Sequence, residues 1–199
     1  MIKLYYYKFS RASRVRWALE EVGAQYELVQ RGDNMFGGMD YAKIHPLKKI
    51  PAITDDGVPV FETAAICLYL ADKFKKLAPP ATDLAVRGQY YQWMFFGMTE
   101  LDRMAERVFR QFKGLTPEVK NAEAEAIVRT EFQARAKVVS DHLKGRTYMV
   151  GNEFTMADLL MASILGWGES MKLMGDFPDL VEYRKRMEDR PAFLRSKAD

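Results

Sequence analysis

The sequence predicts an α/β half followed by an all-helical half. Over residues 1–76, short runs of β-formers alternate with helical periods; beyond a proline-bearing linker at 77–84, residues 85–199 read as helical throughout. Ile2 to Tyr7 is short and rich in β-formers, as a buried strand requires. Val15, Ala18, Leu19 and Val22 recur at helical spacing and Gly23 supplies a stop. Tyr26 to Val29 reads as a second strand, and Gly32 to Met39, with its glycines and no period, as a loop. Pro51 to Thr54 and Val58 to Phe61 flank Asp55-Asp56-Gly57, a hairpin with a strong turn signal. Ile66, Leu70 and Phe74 at i, i+4, i+8 give the helix that closes this half.

In the second half, Val86, Tyr90, Trp93, Gly97, Leu101, Met104 and Val108 predict one long amphipathic helix. Val128, Phe132, Val139 and Leu143 mark another, ending near Gly145. At Thr155-Met156-Ala157-Asp158 a capping box with Asp in place of Glu coincides with a staple between Phe154 and Leu159. A last helix is expected from Pro178 to Asp189, before Arg190-Pro191.

Composition narrows the function classes. Lys and Arg total 30 against 27 Asp and Glu, a net charge of +3, too mild for nucleic acid or an anionic membrane as principal partner. The longest nearly apolar run, Leu159 to Gly168, is far short of the roughly 20 residues of a membrane span. The N-terminal residues show no signal-peptide core. A single cysteine, Cys67, excludes an internal disulfide and a cysteine-rich metal site, and His45 and His142 lack ligand spacing. The expectation is a cytoplasmic, metal-free globular protein.

Phosphate-loop, zinc-protease, nucleophile-elbow and Cys-x-x-Cys motifs are missing, and three local features remain. Phe9 to Arg14 joins the first strand to the first helix, where Ser10 or Ser13 either caps the helix or stabilises an anion beside its unpaired amides. Lys48-Lys49-Ile50-Pro51-Ala52 puts a proline at the mouth of a strand. An ordinary trans proline fits there, and so does a cis bond that exposes the Ile50 backbone to an extended ligand. Glu62-Thr63 opens the third helix, either as a plain Thr cap with a solvated Glu or as a cradle for a molecule carrying an amine and a carboxylate.

In that order and spacing, these motifs together with Phe-Thr-Met-Ala-Asp at 154–158 resemble the cytosolic glutathione transferases over essentially the whole length, with bacterial, theta- or beta-like and serine-type features. The resemblance implies a thioredoxin-like N-terminal domain, residues 1–76, a linker at 77–84 and a helical-bundle domain, residues 85–199. It implies a cytoplasmic detoxifying homodimer that conjugates the glutathione thiolate to hydrophobic electrophiles, with glutathione as co-substrate and no metal. By the same resemblance Pro51 is the cis-proline, the Ile50 backbone pairs with the cysteinyl part of glutathione, Glu62 and Thr63 hold its γ-glutamyl end, Lys49 contacts the glycyl end, and Glu100 reaches glutathione across a dimer interface. Ser10 matches the activating serine, with Ser13 where serine-type members place cysteine, and Tyr6 is the alternative activator. Met98, Arg103, Arg107, Trp167 and Met171 are the expected contacts of the second substrate. The other readings are a transferase-like interaction protein with little catalysis and a specialised glutathione-dependent isomerase or dehalogenase.

Overall fold

The computed structural model describes residues 1–32, 36, 40–112 and 122–198. Contacts divide the chain into two compact units, residues 1–78 with 189–199, and residues 79–188.

The first unit is built on a four-stranded sheet of order β2-β1-β3-β4, from β1 (Ile2–Tyr6), β2 (Tyr26–Gln30), β3 (Ala52–Asp55) and β4 (Val58–Phe61). β1 runs parallel to β2 and antiparallel to β3, which is antiparallel to β4. The parallel pair is joined by α1 (Ala12–Val22), which ends where Gly23 takes a left-handed conformation. The β3–β4 turn follows its residue chemistry: Asp56 and Gly57 both have positive φ, 48° and 89°, as a two-residue hairpin with the right twist requires. α2 (Thr63–Phe74) completes the expected order.

Because side chains alternate across a strand, β1 buries both faces. Tyr6 lies under the Arg16 guanidinium of α1, while Tyr5 on the other face clusters with Phe36, Tyr41 and Ala52. Most of the loop expected over Gly32 to Met39 lies outside the described residues.

A further helix, α8 (Pro191–Lys197), returns to the first unit, a packing the sequence reading did not contain. Phe193 meets Trp17 edge-on at 4.8 Å, Arg190 donates to both Glu21 oxygens at 2.7 and 2.9 Å, and Arg195 Nε donates to Glu20 at 2.9 Å. By contact, then, the second unit ends at Glu188 and not at residue 199.

The second unit is helical: α3 (Leu84–Phe96), α4 (Asp102–Phe112), α5 (Ala122–Leu143), α6 (Met156–Ser170) and α7 (Pro178–Glu188). The single long helix expected from Val86 to Val108 is interrupted by a π-helical turn, Gly97–Leu101. There Gly97 faces α6 so closely that a Cβ would lie 3.1 Å from Ile164 Cδ1.

The capping box forms as expected. Thr155 Oγ1 accepts from the Ala157 N–H, and Asp158 Oδ2 accepts from the Thr155 N–H at 2.9 Å. Asp158 Oδ1 also accepts from the Met149 N–H and the Tyr183 hydroxyl, so a buried carboxylate ties α6 to α7 and to the segment before it. No helix among the described residues is long and apolar enough to cross a membrane.

Candidate functional site

The sheet register assembles the site. β3 is antiparallel to β1 with Ala52 opposite Tyr5, and β4 is antiparallel to β3 with Phe61 opposite Ala52. The chain leaving β1, the chain entering β3 and the chain leaving β4 therefore share one end of the sheet. Those segments carry Ser10, Lys49-Ile50-Pro51 and Glu62-Thr63.

At the first corner Phe9 takes a left-handed conformation, φ 61°, and its ring is 94% exposed. Ser10 follows, half-buried. Its Oγ donates to the Tyr7 carbonyl at 2.6 Å and accepts from the Ala12 N–H at 3.1 Å, satisfying one free amide at the start of α1. The hydroxyl thus stands at the positive end of the α1 dipole with its proton engaged on a backbone carbonyl. Tyr6, the alternative activator, is 3% exposed.

At the second corner the Ile50–Pro51 bond is cis. Ile50 lies outside the ladder, which begins at Ala52, and packs against the Tyr5 cluster. The segment before it is held from a 3-10 turn, Tyr41–Lys43, and the residues after it. Tyr41 Oη donates to the Lys49 carbonyl at 2.8 Å, and the Lys48 N–H donates to the His45 carbonyl at 2.8 Å. Burial drives the Tyr41 hydroxyl well above the ordinary tyrosine range, with the nearby Tyr5 adding to the effect, so Tyr41 stays a donor. The Lys49 side chain is exposed.

At the third corner the expected Thr63 cap is not what forms. The cap position falls on Glu62, whose carbonyl accepts the Ile66 N–H at 2.9 Å and whose side chain makes no cap hydrogen bond; Thr63 is the first helical residue, 2% exposed. Glu62 has φ 69°, a strained value for a residue with a Cβ, and strain of this kind gathers at ligand-binding corners. The residue is exposed at the N-terminal end of α2, whose first amides favour an anion.

His45 and Tyr41, which brace two of these corners, were not among the expected site residues. No spacing signal marks them, because their partners are set by the turn at 41–50. Glu100, on the π-helical turn of the second unit, is bonded by Arg135 Nε at 3.0 Å. Met98, Trp167 and Met171 are half-buried there, with Phe109 and Trp167 rings 6.0 Å apart, and Arg103 and Arg107 are exposed. His142 is engaged elsewhere, Nε2 on the Met149 carbonyl and its ring on Trp93. Among the described residues no group of three His, Cys, Asp or Glu side chains is placed to hold a metal ion. Cys67 is fully buried in α2; burial pushes its thiol up to about 12, against the pull of Arg14, which leaves it protonated.

Residues 2–72 match the family model for the glutathione S-transferase N-terminal domain, and residues 91–191 match that for the C-terminal domain. The chain belongs to the glutathione S-transferase family. Among its glutathione S-transferase relatives, the chain is 28% identical to GstA of Escherichia coli O157:H7, over 96% of this chain and 94% of the relative. It is 29% identical to glutathione S-transferase 3 of Schizosaccharomyces pombe, over 96% and 85%. A solved glutathione transferase from Pseudomonas putida, with one glutathione disulfide bound per subunit, matches with a TM-score of 0.85 at 28% identity, over 98% of this chain and 90% of that one.

Proposed function

We propose that the chain binds glutathione at the shared sheet end and conjugates its thiolate to small apolar electrophiles. One observation carries this reading: the register brings to one place a helix-terminal hydroxyl, a strand mouth with its ladder not yet begun, and an exposed carboxylate on a helix N-terminus. The tripeptide supplies the complement of each.

In this reading the Ile50 backbone, preceding Pro51, pairs with the cysteinyl residue as an added strand would. Glu62 takes the α-amine of the γ-glutamyl end, while Thr63 and the first amides of α2 take its carboxylate. Lys49 takes the glycyl carboxylate. Ser10 turns its O–H from the Tyr7 carbonyl to donate a hydrogen bond to the cysteinyl sulfur, whose own proton passes to water. The sulfur lone pair then forms the C–S bond, and the leaving group departs with the bonding electrons.

A free thiol has a pKa of about 8.5 and is mostly protonated at neutral pH. A hydrogen bond to a charged group contributes about 1.5–3 kcal/mol and a helix N-terminus about 0.3–1 kcal/mol. Because the bond to the thiolate replaces the one to the Tyr7 carbonyl, its net gain is about 1–1.5 kcal/mol, and with the helix N-terminus the thiol pKa falls by about 1.0–1.8 units at 1.36 kcal/mol per unit, without a general base.

Along α3, Leu84, Gly88, Tyr91 and Phe95 fall on one exposed stripe, which supports self-association into a homodimer, and in this reading Glu100 serves the glutathione of the partner copy. A second reading, glutathione binding with little turnover, is favoured by the bond that already engages the Ser10 proton on Tyr7. Retention on immobilised glutathione followed by turnover of chlorodinitrobenzene tests both. Retention with turnover supports conjugation, retention without turnover supports the second reading, and no retention refutes both.

A further inference from the structure

His45 is 3% exposed and stands where two arms of the site meet, yet no step above uses it. Its Nδ1 accepts the Leu47 N–H at 3.2 Å and its carbonyl accepts the Lys48 N–H at 2.8 Å, so it fixes the turn that delivers Lys49 and Ile50. Its ring packs on Phe61, 4.8 Å between centroids, and Phe61 is the residue immediately before the left-handed Glu62. An accepting Nδ1 places the proton on Nε2, so the imidazole that fits this geometry is neutral.

We propose that His45 is a positioning residue of the glutathione site, joining the Lys49–Ile50 arm to the Glu62 arm as a neutral imidazole, so that its protonation in mild acid weakens glutathione binding. The inference rests on the function proposed above and adds a regulation to it. Protonation turns Nδ1 into a donor facing the Leu47 N–H, and the ring must shift against Phe61. The charged groups facing the ring are Glu62 from the β4–α2 corner and Lys49 from the loop, of opposite sign; Phe61, from β4, is uncharged. Burial, the largest effect, holds the His45 pKa below its ordinary value, Glu62 opposes it and Lys49 reinforces it. Neutral His45 is therefore the form present at pH 7, and affinity falls only on acidification.

The test is calorimetric titration of the whole chain with S-hexylglutathione, whose blocked sulfur removes thiol ionisation, at about pH 7 and pH 5; its amine and carboxylates keep their charges in that window. The wild-type dissociation constant rises at the lower pH, and by less than the roughly 25-fold ceiling of an imidazole titrating at about 6.5. His45→Asn, whose side-chain oxygen takes the place of Nδ1 as acceptor and does not titrate, flattens that ratio to near one. His45→Phe, with a ring and no acceptor, raises KM for glutathione more than it lowers kcat, and His45→Asn restores part of the loss. A ratio that survives in His45→Asn assigns the acid effect to Glu62 and overturns the proposal, as does a pH-independent wild type. Should neither variant fold, the wild type still decides. The chain has two histidines, so both imidazoles can be followed by NMR, and S-hexylglutathione must lower the His45 midpoint. A midpoint that stays or rises refutes the inference. Failure of S-hexylglutathione to bind at any pH refutes the proposed function instead.

Discussion

Replacing Ser10 by Ala removes one hydroxyl with two contacts, to the Tyr7 carbonyl at 2.6 Å and from the Ala12 N–H at 3.1 Å. In the proposed mechanism the first is exchanged for the thiolate. A neutral hydrogen bond contributes about 0.5–1.5 kcal/mol and one to a charged group about 1.5–3, so the exchange favours the anion by about 1–1.5 kcal/mol. That corresponds to about one pKa unit of the bound thiol. The second contact belongs to the helix, and its loss costs about 0.5–2 kcal/mol of stability, as removing a cap does. Thiolate absorbance of the glutathione complex, recorded against pH, reads the first effect; thermal unfolding reads the second. The Ser10→Ala complex should titrate about one unit higher, with turnover of chlorodinitrobenzene falling about tenfold below that midpoint. Tyr6→Phe, altering a ring buried under Arg16, should leave the midpoint in place. A Ser10→Ala protein that melts earlier yet titrates like the wild type would show the hydroxyl to be a cap and nothing more.

Glu62→Gln keeps the side-chain shape and removes its charge, so KM for glutathione should rise about five- to tenfold with a smaller change in kcat, because a charge-assisted bond becomes a neutral one; an unchanged KM in steady-state kinetics refutes the role. Asp55 is buried and accepts from Lys73 first and Tyr69 second, which holds its carboxyl below the usual carboxylate range. With a folded pKa below the unfolded value of about 3.9, its contribution is present above that pH and disappears as pH falls through the folded pKa. Urea midpoints measured from about pH 5 downward should decline more steeply in the wild type than in Asp55→Asn, and parallel declines would contradict the assignment. Gly168→Ala drives a Cβ into the buried Phe132 ring, closer than any ordinary contact allows. Overpacking of this kind costs about 1–3 kcal/mol. The melting temperature should fall by about 2–4 °C per kcal/mol in a chain of this size, and an unshifted melt would show that α5 yields freely.

What the sequence disclosed is what local chemistry determines. Asp56-Gly57 needs only two positive φ values to make its turn, and the Thr155–Asp158 box needs only four consecutive residues. Features that depend on distant partners were invisible. Arg190-Pro191 reads as the end of α7, but proline is also favoured at the first position of a helix, and here it opens α8. Only the pairing of Arg190 with Glu21, 169 residues away in sequence, shows where that helix belongs. The π-helical turn at 97–101 keeps an apolar spacing close enough to helical that periodicity runs straight through it. Within the site, Ser10, Pro51 and Glu62 were legible as corner residues. His45 was not, because its value comes from the Phe61 ring, which the β3–β4 register carries to it.

The contacts proposed to bind the tripeptide and the contact proposed to activate it are made by different residues under different constraints. Ile50 and Glu62 sit on corners whose backbone is fixed by the neighbouring ladder and turn, so their main chain is in place before any ligand arrives. Ser10 is held only by local bonds within its own turn, and activation requires one of them to break. Tyr7 is exposed, so water can take up the carbonyl that Ser10 releases and the exchange leaves no buried acceptor unpaired. Had that carbonyl been buried, the loss of about 1–3 kcal/mol would have consumed the gain from the thiolate. In the proposed mechanism, exposure of the β1–α1 corner is thus what would allow Ser10 to serve both the helix start and the thiolate, and losing that one hydroxyl would leave the proposed tripeptide-binding corners intact.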